Sequence, residues 1–433
     1  MNPTRHIAKG TFGYHVLTLA GGTLAGQLIL FVSLPFLQRY FYGPEAFGML
    51  TVYVSVSELL SDVSGLKYEY GIVRMHRHKD AVNLMMLSLA SVVTVAALST
   101  AAFALLYFFY PAMAMVQDLG IYLFLVPLSV LFFGAFNTLT YWFNRQEGYR
   151  VMAAGKLVNS SVSEPAKFGW GRWIGQTGAG LILGRIAGQF AGTACALGAF
   201  LRSDKRLLRL VSPARIRQLV KEQKHYPLFV TPSTLITASV TVIYVQFFSS
   251  HFGQEKVGLL GVSVSYIGVA FGIMSNAFGQ VFYKRISTVK DGHTLKKMYL
   301  RFAGLLALPA LAALAAVWII PESAVTYVLG DRWAGTMPIA RVMVPWMGIA
   351  FISSSLSFMH IRLGTQNRLL VIDLLHLAGV VAALWGGYRF FGTFSGILYC
   401  FAAAQALHYI LVILAAVYFL NQKITSDHAP LQE

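Results

Sequence analysis

Long apolar stretches separated by short polar ones run along almost the whole chain. A helix needs about 20 mostly apolar residues to cross a bilayer, and twelve stretches satisfy that requirement. The pattern therefore predicts an all-α polytopic membrane protein with about twelve transmembrane helices. The predicted spans are 14–37, 46–70, 81–109, 118–143, 150–171, 174–200, 226–250, 256–282, 295–320, 335–361, 368–391 and 394–420.

The fifth predicted span, 150–171, is much more polar than the others. It carries Lys156, Asn159, Glu164 and Lys167 within a helix-length segment. Charged side chains inside a membrane are costly and seldom face lipid. We therefore expect this helix to be sheltered by protein or to line a cavity.

The composition agrees with a membrane protein, and the distribution of basic residues between the loops explains the net charge. Of 433 residues, 56% are apolar and 12% are charged, against about 25% charged in a typical soluble domain. A net charge of +17 would suggest nucleic acid as the partner of a soluble protein. In membrane proteins, however, cytoplasmic loops collect Lys and Arg. With both termini cytoplasmic, the cytoplasmic segments hold 25 basic residues and the outer segments hold 6, so no nucleic-acid partner is expected.

One extended polar stretch divides the chain near its midpoint, and it contains eight Lys or Arg residues. It predicts two six-helix lobes joined by a basic cytoplasmic linker. The predicted parts are an N-terminal lobe at 1–201, the linker at 202–225, a C-terminal lobe at 226–421 and a cytoplasmic tail at 422–433.

A short motif occurs twice, 210 residues apart. Residues 42–50 and 252–260 share the pattern G-x-E-x-x-G-x-L, and both copies fall between the first and second helix of a half. Because each half has an even number of helices, the halves point the same way across the membrane. Parallel repeats of this kind are one of the symmetric plans that transporters use.

Catalytic and metal-binding signatures are lacking in the sequence. Cys195 and Cys400 each lie in an apolar run, which offers neither a disulfide framework nor a thiolate metal site. His76 and His78 lie among basic residues and are typical of a solvated loop. No nucleophile elbow, phosphate loop or zinc motif occurs, so we expect no enzyme activity, no cofactor and no metal.

Several segments resemble a known family of transporters. They are the turn Pro44–Gly48, the stretch Leu66–Val73 and the following Ala81–Leu84, with Trp142–Arg145 and Gly180–Gly184 further along. These resemble the bacterial polysaccharide flippases, whose superfamily also contains multidrug antiporters of the toxin-extrusion type. Family members typically have L-R-Y-E-x-A-I-V where this chain has Lys67 for Arg and Gly71 for Ala. Lysine cannot bind a phosphate bidentately as arginine can.

The resemblance implies a two-lobed bundle around a cavity that opens alternately to each side of the bacterial inner membrane. Its substrate would be a polyprenyl-diphosphate-linked oligosaccharide destined for O-antigen, capsule or exopolysaccharide. Transport would be coupled to protons, to sodium or to neither. Membrane lipids and other polysaccharide assembly proteins are the further partners that it implies.

Intramembrane charges and amides are the candidate site residues, because each buried charge costs about 2.5 to 3.5 kcal/mol on insertion scales. Cations would bind diphosphate or acidic sugars, whereas amides and tyrosines suit neutral sugars. The candidate substrate-binding residues are Lys67, Tyr68, Glu69, Arg145, Arg150, Lys156, Asn159, Arg185, Gln246, Asn276 and Gln280. The candidate ion-coupling residues are Glu58, Asp62 and Glu164, and Glu58, Asp62 and Glu69 are expected on one face of the second helix.

Each candidate also has a structural interpretation. The acids of the second helix could form ion pairs, Arg145 and Arg150 could be loop charges that set topology, and Arg185 could pair with an acid such as Glu164. Arg341 and Asp373 have no evident partner in the sequence. Glycines recur every four residues in the sixth helix from Gly180 to Gly192, which indicates close helix packing.

Two rival functions remain open. A multidrug antiporter of the same superfamily would present an acid-rich cavity, whereas the fifth and sixth helices here supply Lys156, Lys167 and Arg185. A membrane enzyme such as a glycan polymerase or acyltransferase usually carries a large outer loop or a buried catalytic histidine. The longest outer loop here, near 321–335, is short.

Overall fold

All regular structure in the described part of the chain is helical. The computed structural model describes residues 12–287, 289 and 291–427, without the side chains of 12–20, 23, 276, 280, 366, 367, 426 and 427. The α-helices are α1 (Phe12–Tyr40), α2 (Pro44–Ser64), α3 (Glu69–Ile72), α4 (His78–Phe109), α5 (Ala114–Leu119), α6 (Val126–Arg145), α7 (Tyr149–Trp173), α8 (Gly178–Ser203), α9 (Pro213–Glu222), α10 (Thr231–Ser287), α11 (Gly292–Ile319), α12 (Glu322–Leu329), α13 (Thr336–Leu356), α14 (Phe358–Leu363), α15 (Gln366–Phe390) and α16 (Phe394–Asp427).

The helices account for all twelve predicted spans. In the described residues, nine helical stretches are long and apolar enough to cross a membrane. One of them, Tyr226–Ser287, is 62 residues long and covers two predicted spans. The other two predicted spans correspond to α1 and to the polar helix α7, which are 29 and 25 residues long.

One of the predicted helix boundaries is confirmed and another is wrong. We expect a break near residues 251–255, and α10 consists of two helical segments that meet at a kink at Gly253, with φ 81° and ψ 173°. Glycine adopts this positive φ without the steric cost that other residues meet. We also expect the second span to reach residue 70, but α2 ends at Ser64.

The early end of α2 changes the arrangement of its acids. Leu66 and Lys67 have φ of 50° and 58°, a left-handed conformation that non-glycine residues seldom adopt. Glu69 then begins the separate helix α3. The expectation that Glu69 shares a continuous helical face with Glu58 and Asp62 is therefore wrong.

The described residues form two compact units, one ending at Gly258 and the other beginning at Leu259. The first unit contains α1 to α9 and the start of α10. One of its apolar clusters lies around Trp142, Met85 and Phe200, and Leu219 of the linker helix α9 is part of that cluster. The boundaries of the two lobes predicted from the sequence remain a prediction.

The polar helix α7 is enclosed by two neighbours, α1 and α8, with which it makes extensive contact. The glycines of α8 face it directly. A Cβ atom added at Gly184 would clash with Lys167, and one added at Gly188 would clash with Asn159 and Ser163. The sequence prediction that this glycine row serves close helix packing is confirmed.

The two copies of the repeated motif contact each other inside the first unit. A Cβ atom added at Gly48 would overlap the backbone oxygen of Gln254, and one added at Gly258 would overlap the backbone oxygen of Pro44. Gly48 matches Gly258 in the repeat, and Pro44 matches Gln254. The contact is therefore pseudo-symmetric.

In the second unit, α13 and α16 pack closely, and α11 and α15 pack against them. Phe271 of α10 stacks on Phe351 of α13, with ring centroids 4.9 Å apart. The helix α11 begins at a capped end, where the Asp291 carboxylate accepts a hydrogen bond from the Thr294 amide at 2.7 Å. Hydrogen bonds from Thr294 lower the pKa of Asp291.

Candidate functional site

Lys67 lies at the centre of an acidic group at the end of α2. It is close enough to Asp62 and Glu69 to interact electrostatically with both carboxylates. Its Nζ lies 3.5 Å from the Tyr70 hydroxyl, and Ser88 donates a hydrogen bond to Glu69 Oε2 at 3.3 Å. Lys67 is only 5% exposed, so in this conformation its charge balances the neighbouring acids.

The tyrosines beside Lys67 have different surroundings. Tyr68, a candidate substrate-binding residue, is buried in the apolar cluster around Trp142. Tyr70 is exposed, and its ring lies 5.1 Å from that of Tyr141. Because Tyr70 and not Tyr68 faces outward, the surface available to a substrate here is the pair of Tyr70 and Tyr141.

Arg185 on α8 forms an ion pair with Glu58 on α2. The distance from Arg185 Nη2 to Glu58 Oε1 is 2.7 Å, and the two side chains are 27% and 55% exposed. Both helices are among the candidate membrane spans. The partner is thus Glu58, and the alternative pairing with Glu164 that the sequence left open is wrong.

The hydrogen-bonding capacity of Arg185 is only partly used. A guanidinium carries five N–H donors, and in the described residues Arg185 Nε is buried without a hydrogen-bond partner. A buried donor left unpaired costs about 1 to 3 kcal/mol. Arg185 is thus a partly exposed cation inside a candidate membrane span, and in the described residues its one hydrogen bond goes to Glu58.

A buried chain of hydroxyl and amide groups lies near Arg185. The Tyr53 hydroxyl is 2.7 Å from Ser129 Oγ, which donates to Gln189 Oε1 at 2.7 Å. This chain links α2, α6 and α8, and Tyr53 is close enough to Arg185 to interact electrostatically. Sequence reasoning missed these residues, although polar side chains inside apolar spans are a signal that could have found them.

Glu164 and Lys167 form a buried pair on α7. Their oxygen and nitrogen atoms are 2.6 Å apart, and the side chains are 3% and 9% exposed. Ser33 of α1 donates to the second Glu164 oxygen at 2.9 Å, and the Tyr42 hydroxyl donates to the Lys167 backbone oxygen at 2.7 Å. Glu164 thus has all its charge compensated and is tied to α1.

Arg145 and Arg150 occupy the turn between α6 and α7. Arg145 donates to the backbone oxygens of Met75 and His76 and lies 3.1 Å from His78 Nδ1. These bonds fix the loop before α4. Arg150 is exposed at the start of α7.

Lys156 and Asn159 lie one turn apart on α7, and both are half-buried. Asn159 is beside Gly188 and Gly192 of α8. The amide Nε2 of Gln246, on α10, is buried without a hydrogen-bond partner in the described residues. The side chains of Asn276 and Gln280 lie outside the described part of the chain.

The structure therefore brings together two groups within the first unit. One contains Asp62, Lys67, Glu69 and Tyr70, and the other contains Glu58 and Arg185. Each group contains one acid of α2, Asp62 in the first group and Glu58 in the second, and these two residues lie one turn apart. Together the two groups present cationic, carboxylate and hydroxyl groups to a ligand.

Solved structures show which fold the chain has. One is the inward-facing conformation of a multidrug resistance MATE family transporter of the MOP superfamily, with 14% identity, 96% of each chain covered and a TM-score of 0.66. A second is a MOP superfamily transporter from Pyrococcus furiosus with a binding pocket of reverse polarity, with 14% identity, 94% of this chain and 96% of that chain covered and a TM-score of 0.63. A third is the MATE multidrug transporter DinF-BH in a ligand complex, with 14% identity, 96% of this chain and 98% of that chain covered and a TM-score of 0.62.

The fold is therefore that of the MOP superfamily, with twelve helices in two lobes, which confirms the predicted fold class. The sequence assigns the chain to a narrower group of proteins than the fold does. The model of the polysaccharide biosynthesis protein family matches residues 36–338, and the chain belongs to that family. No curated protein sequence matches the chain.

Proposed function

We propose that this protein is a flippase, not an enzyme, and that it moves a polyprenyl-diphosphate-linked oligosaccharide outward across the bacterial inner membrane. The glycan would serve O-antigen, capsule or exopolysaccharide synthesis. Membership of the polysaccharide biosynthesis protein family and the fold of MOP superfamily transporters support this proposal. Alternating access of the two lobes would carry the glycan while the polyprenyl tail stays in the bilayer.

The observation that carries the proposal is the state of Arg185. It is a cation inside a candidate membrane span, more than a quarter of it is exposed, and its Nε is buried without a partner in the described residues. Arginine binds diphosphate through charge-assisted and bidentate hydrogen bonds. Glu58 would keep the guanidinium oriented before substrate arrives and would be displaced or shared when the diphosphate binds.

Reconstitution of the full chain into lipid vesicles tests the proposal. The probe is a polyprenyl-diphosphate-linked oligosaccharide on one leaflet, and the readout is its exposure to a sugar-oxidising reagent that does not cross the membrane. We expect protein-dependent transfer that Arg185→Ala abolishes at normal protein levels. Wild-type transfer by Arg185→Ala, or no transfer by the native chain, would overturn the assignment.

A second candidate is export of organic cations. The half-exposed carboxylate of Glu58 is the feature that favours it, because an acid in a membrane cavity attracts cations. Loss of the protein in the source bacterium would then increase sensitivity to cationic dyes and leave surface polysaccharide unchanged. The flippase proposal expects the reverse, namely loss of surface polysaccharide and accumulation of lipid-linked glycan facing the cytoplasm.

A further inference from the structure

Two histidines of the second unit stack on each other inside predicted membrane spans. His376 on α15 and His408 on α16 have ring centroids 3.8 Å apart and ring planes 14° from parallel. Asp373, one helical turn before His376, places Oδ1 4.0 Å from His408 Nε2. His408 is 8% exposed. None of these three residues is among the candidates that the sequence offers for substrate or ion binding.

Hydrogen bonding fixes the roles of the ring nitrogens. His376 Nε2 lies 2.7 Å from Gln405 Oε1, and an amide oxygen only accepts, so this nitrogen carries a proton and donates it. His408 presents Nε2 to the Asp373 carboxylate, and its Nδ1 is buried without a hydrogen-bond partner in the described residues. In the described residues, the charged form of His408 is therefore stabilised from the side of Nε2, which faces Asp373.

The charges around the pair set how many protons it can hold. Two imidazolium rings stacked at van der Waals distance repel each other strongly, whereas Asp373 can neutralise one of them. Protonation of one ring therefore yields a neutral group with the aspartate. Protonation of both would leave an uncompensated charge inside the membrane.

The charged and titratable groups on the helices packed around the pair contact other residues. On α13, Arg341 is held by Glu322 at 2.9 Å and by the Val317 oxygen. On α14, His360 bonds Thr365 and the Val412 oxygen. Basic residues on α11 lie in its first ten residues, and Arg368 at the start of α15 lies over the Phe419 ring. Among the described residues, Asp373 is therefore the charged group that faces the pair.

A cavity lies next to this pair. Its volume is about 330 Å³, and its wall includes Trp346, Phe351, Ser275, Ser354 and Tyr409. The Tyr409 ring is 4.9 Å from that of His408 and stacks on Trp346 with centroids 6.2 Å apart. A charge at His408 would thus be felt at the wall of the cavity.

We propose that His376, His408 and Asp373 form a binding site for a single proton in the second unit. A metal ion is a poorer occupant, because in the described residues no group of three or more His, Cys, Asp or Glu side chains is arranged to hold one. The binding of the proton stands whatever the cargo is, and its use to drive transport rests on the proposed flippase function.

The decisive measurement is a count of charged imidazoles in the full chain, labelled with ¹⁵N-histidine in lipid nanodiscs, since ¹⁵N shifts distinguish imidazolium from imidazole. We compare the native chain with the double variant His376→Gln, His408→Gln during titration from neutral to acidic pH. The pair should contribute one imidazolium and no second one. A contribution of none, or of two in the same pH range, would overturn the proposal.

Two single variants complete the test. Asp373→Asn keeps the shape of the side chain. In this variant, the proton concentration at the midpoint of protonation of the pair should be at least tenfold higher than in the native chain. This result decides the matter even where the double variant does not fold. His360→Gln alters a histidine of the same unit that is not stacked on another and should leave the count for the pair unchanged. An unchanged midpoint in Asp373→Asn would contradict the proposal.

Transport measurements in vesicles then distinguish a failure of the proton-binding site from a failure of the proposed flippase function. With a pH gradient, transfer of the lipid-linked oligosaccharide should be faster in the native chain than in His408→Gln, and without a gradient the two should be equal. A His408→Gln variant that keeps the full gradient effect would overturn the coupling role. Absence of any transfer by the native chain would refute the proposed function and leave the proton count to stand.

Discussion

Gly48 and Gly258 are equivalent positions of the repeated motif, and each faces the backbone oxygen of the other copy's loop. Gly48 lies against Gln254, and Gly258 lies against Pro44. Backbones that approach this closely allow Cα–H···O contacts between helices. The repeat is thus more than a trace of duplication, because its two copies form a pseudo-symmetric contact at the start of α2 and the centre of α10.

Adding a methyl group at this contact should destabilise the protein. Gly48→Ala and Gly258→Ala would each force backbone to move, and overpacking of this kind costs about 1 to 3 kcal/mol. We expect lower midpoints of thermal unfolding in detergent. Because both substitutions act on one contact, the double variant should lose less stability than the two single losses combined.

Gly198→Ala provides the matched control. Gly198 lies in α8 with open space around its Cβ position, and alanine is favoured over glycine in a helix by up to about 1 kcal/mol. Its stability should be unchanged or higher. Gly48→Ala with native stability would show that the two motif copies do not pack as described.

The ion pair of Arg185 and Glu58 should matter for transport and little for stability. Partly exposed pairs contribute about 0 to 1 kcal/mol, so Arg185→Ala and Glu58→Gln should change the unfolding midpoint only slightly. If Arg185 binds diphosphate, Arg185→Ala should nevertheless abolish transport, and Arg185→Lys should retain part of it.

Arg341 and Glu322 offer a control with nearly the same geometry. Their distance is 2.9 Å with exposures of 25% and 49%, against 2.7 Å, 27% and 55% for Arg185 and Glu58. Arg341→Ala should cause the same small loss of stability and leave transport intact. Equal transport by the Arg185 and Arg341 variants would remove Arg185 from the site.

The pair of Glu164 and Lys167 should show the opposite behaviour. Removing one partner of a buried pair leaves an uncompensated charge, at a cost of about 3 to 5 kcal/mol. Lys167→Met should therefore lower thermal stability strongly. The double variant Glu164→Gln, Lys167→Met should recover most of the loss, because it leaves no charge behind.

Transport by that double variant tests the ion-coupling role that the sequence suggests for Glu164. Glu164 accepts hydrogen bonds from both Lys167 and Ser33, an arrangement that holds the carboxylate in place. We expect the folded double variant to transport with native dependence on ion gradients. Loss of that dependence would show that Glu164 is a coupling residue.

Sequence reasoning predicts the spans well and the pairings poorly, for a physical reason. Apolar length determines which segments cross a membrane, so α4 and α8 follow from the pattern alone. The partner of Arg185 depends on which helix faces α8, and Glu58 is 127 residues away in the chain. The left-handed turn falls on Leu66 and Lys67, which are not glycines, and Gly65, the C-cap of α2, is the one residue in the sequence that marks the break.

The same limit applies to the second unit. Asp373 shows no partner along the chain, and its neighbour His408 lies on the next helix. Two histidines 32 positions apart indicate nothing until α15 and α16 pack side by side. Function was nevertheless within reach of the sequence at the level of family, because the matched region includes the resembling motif at Leu66–Val73.

The basic linker is held against α4 by Asn83, and loss of that side chain should release it. Asn83 is fully buried; it donates to the Leu210 backbone oxygen at 3.0 Å and accepts from the Ser212 amide at 2.8 Å. Asn83→Ala leaves both backbone groups unpaired, which costs about 1 to 3 kcal/mol.

Trypsin measures this release, because the linker carries eight Lys or Arg residues between 202 and 224 and cleavage follows the population of the open state. We expect cleavage within 202–224 to be about ten times faster in Asn83→Ala, since 1.4 kcal/mol corresponds to a tenfold population change. Arg215→Ala breaks only partly exposed ion pairs, with Asp80 and Glu222, and should accelerate cleavage less. Thr94→Ala, on the same helix but exposed, should leave the rate unchanged. Equal rates in Asn83→Ala and Thr94→Ala would show that the linker is held by other contacts.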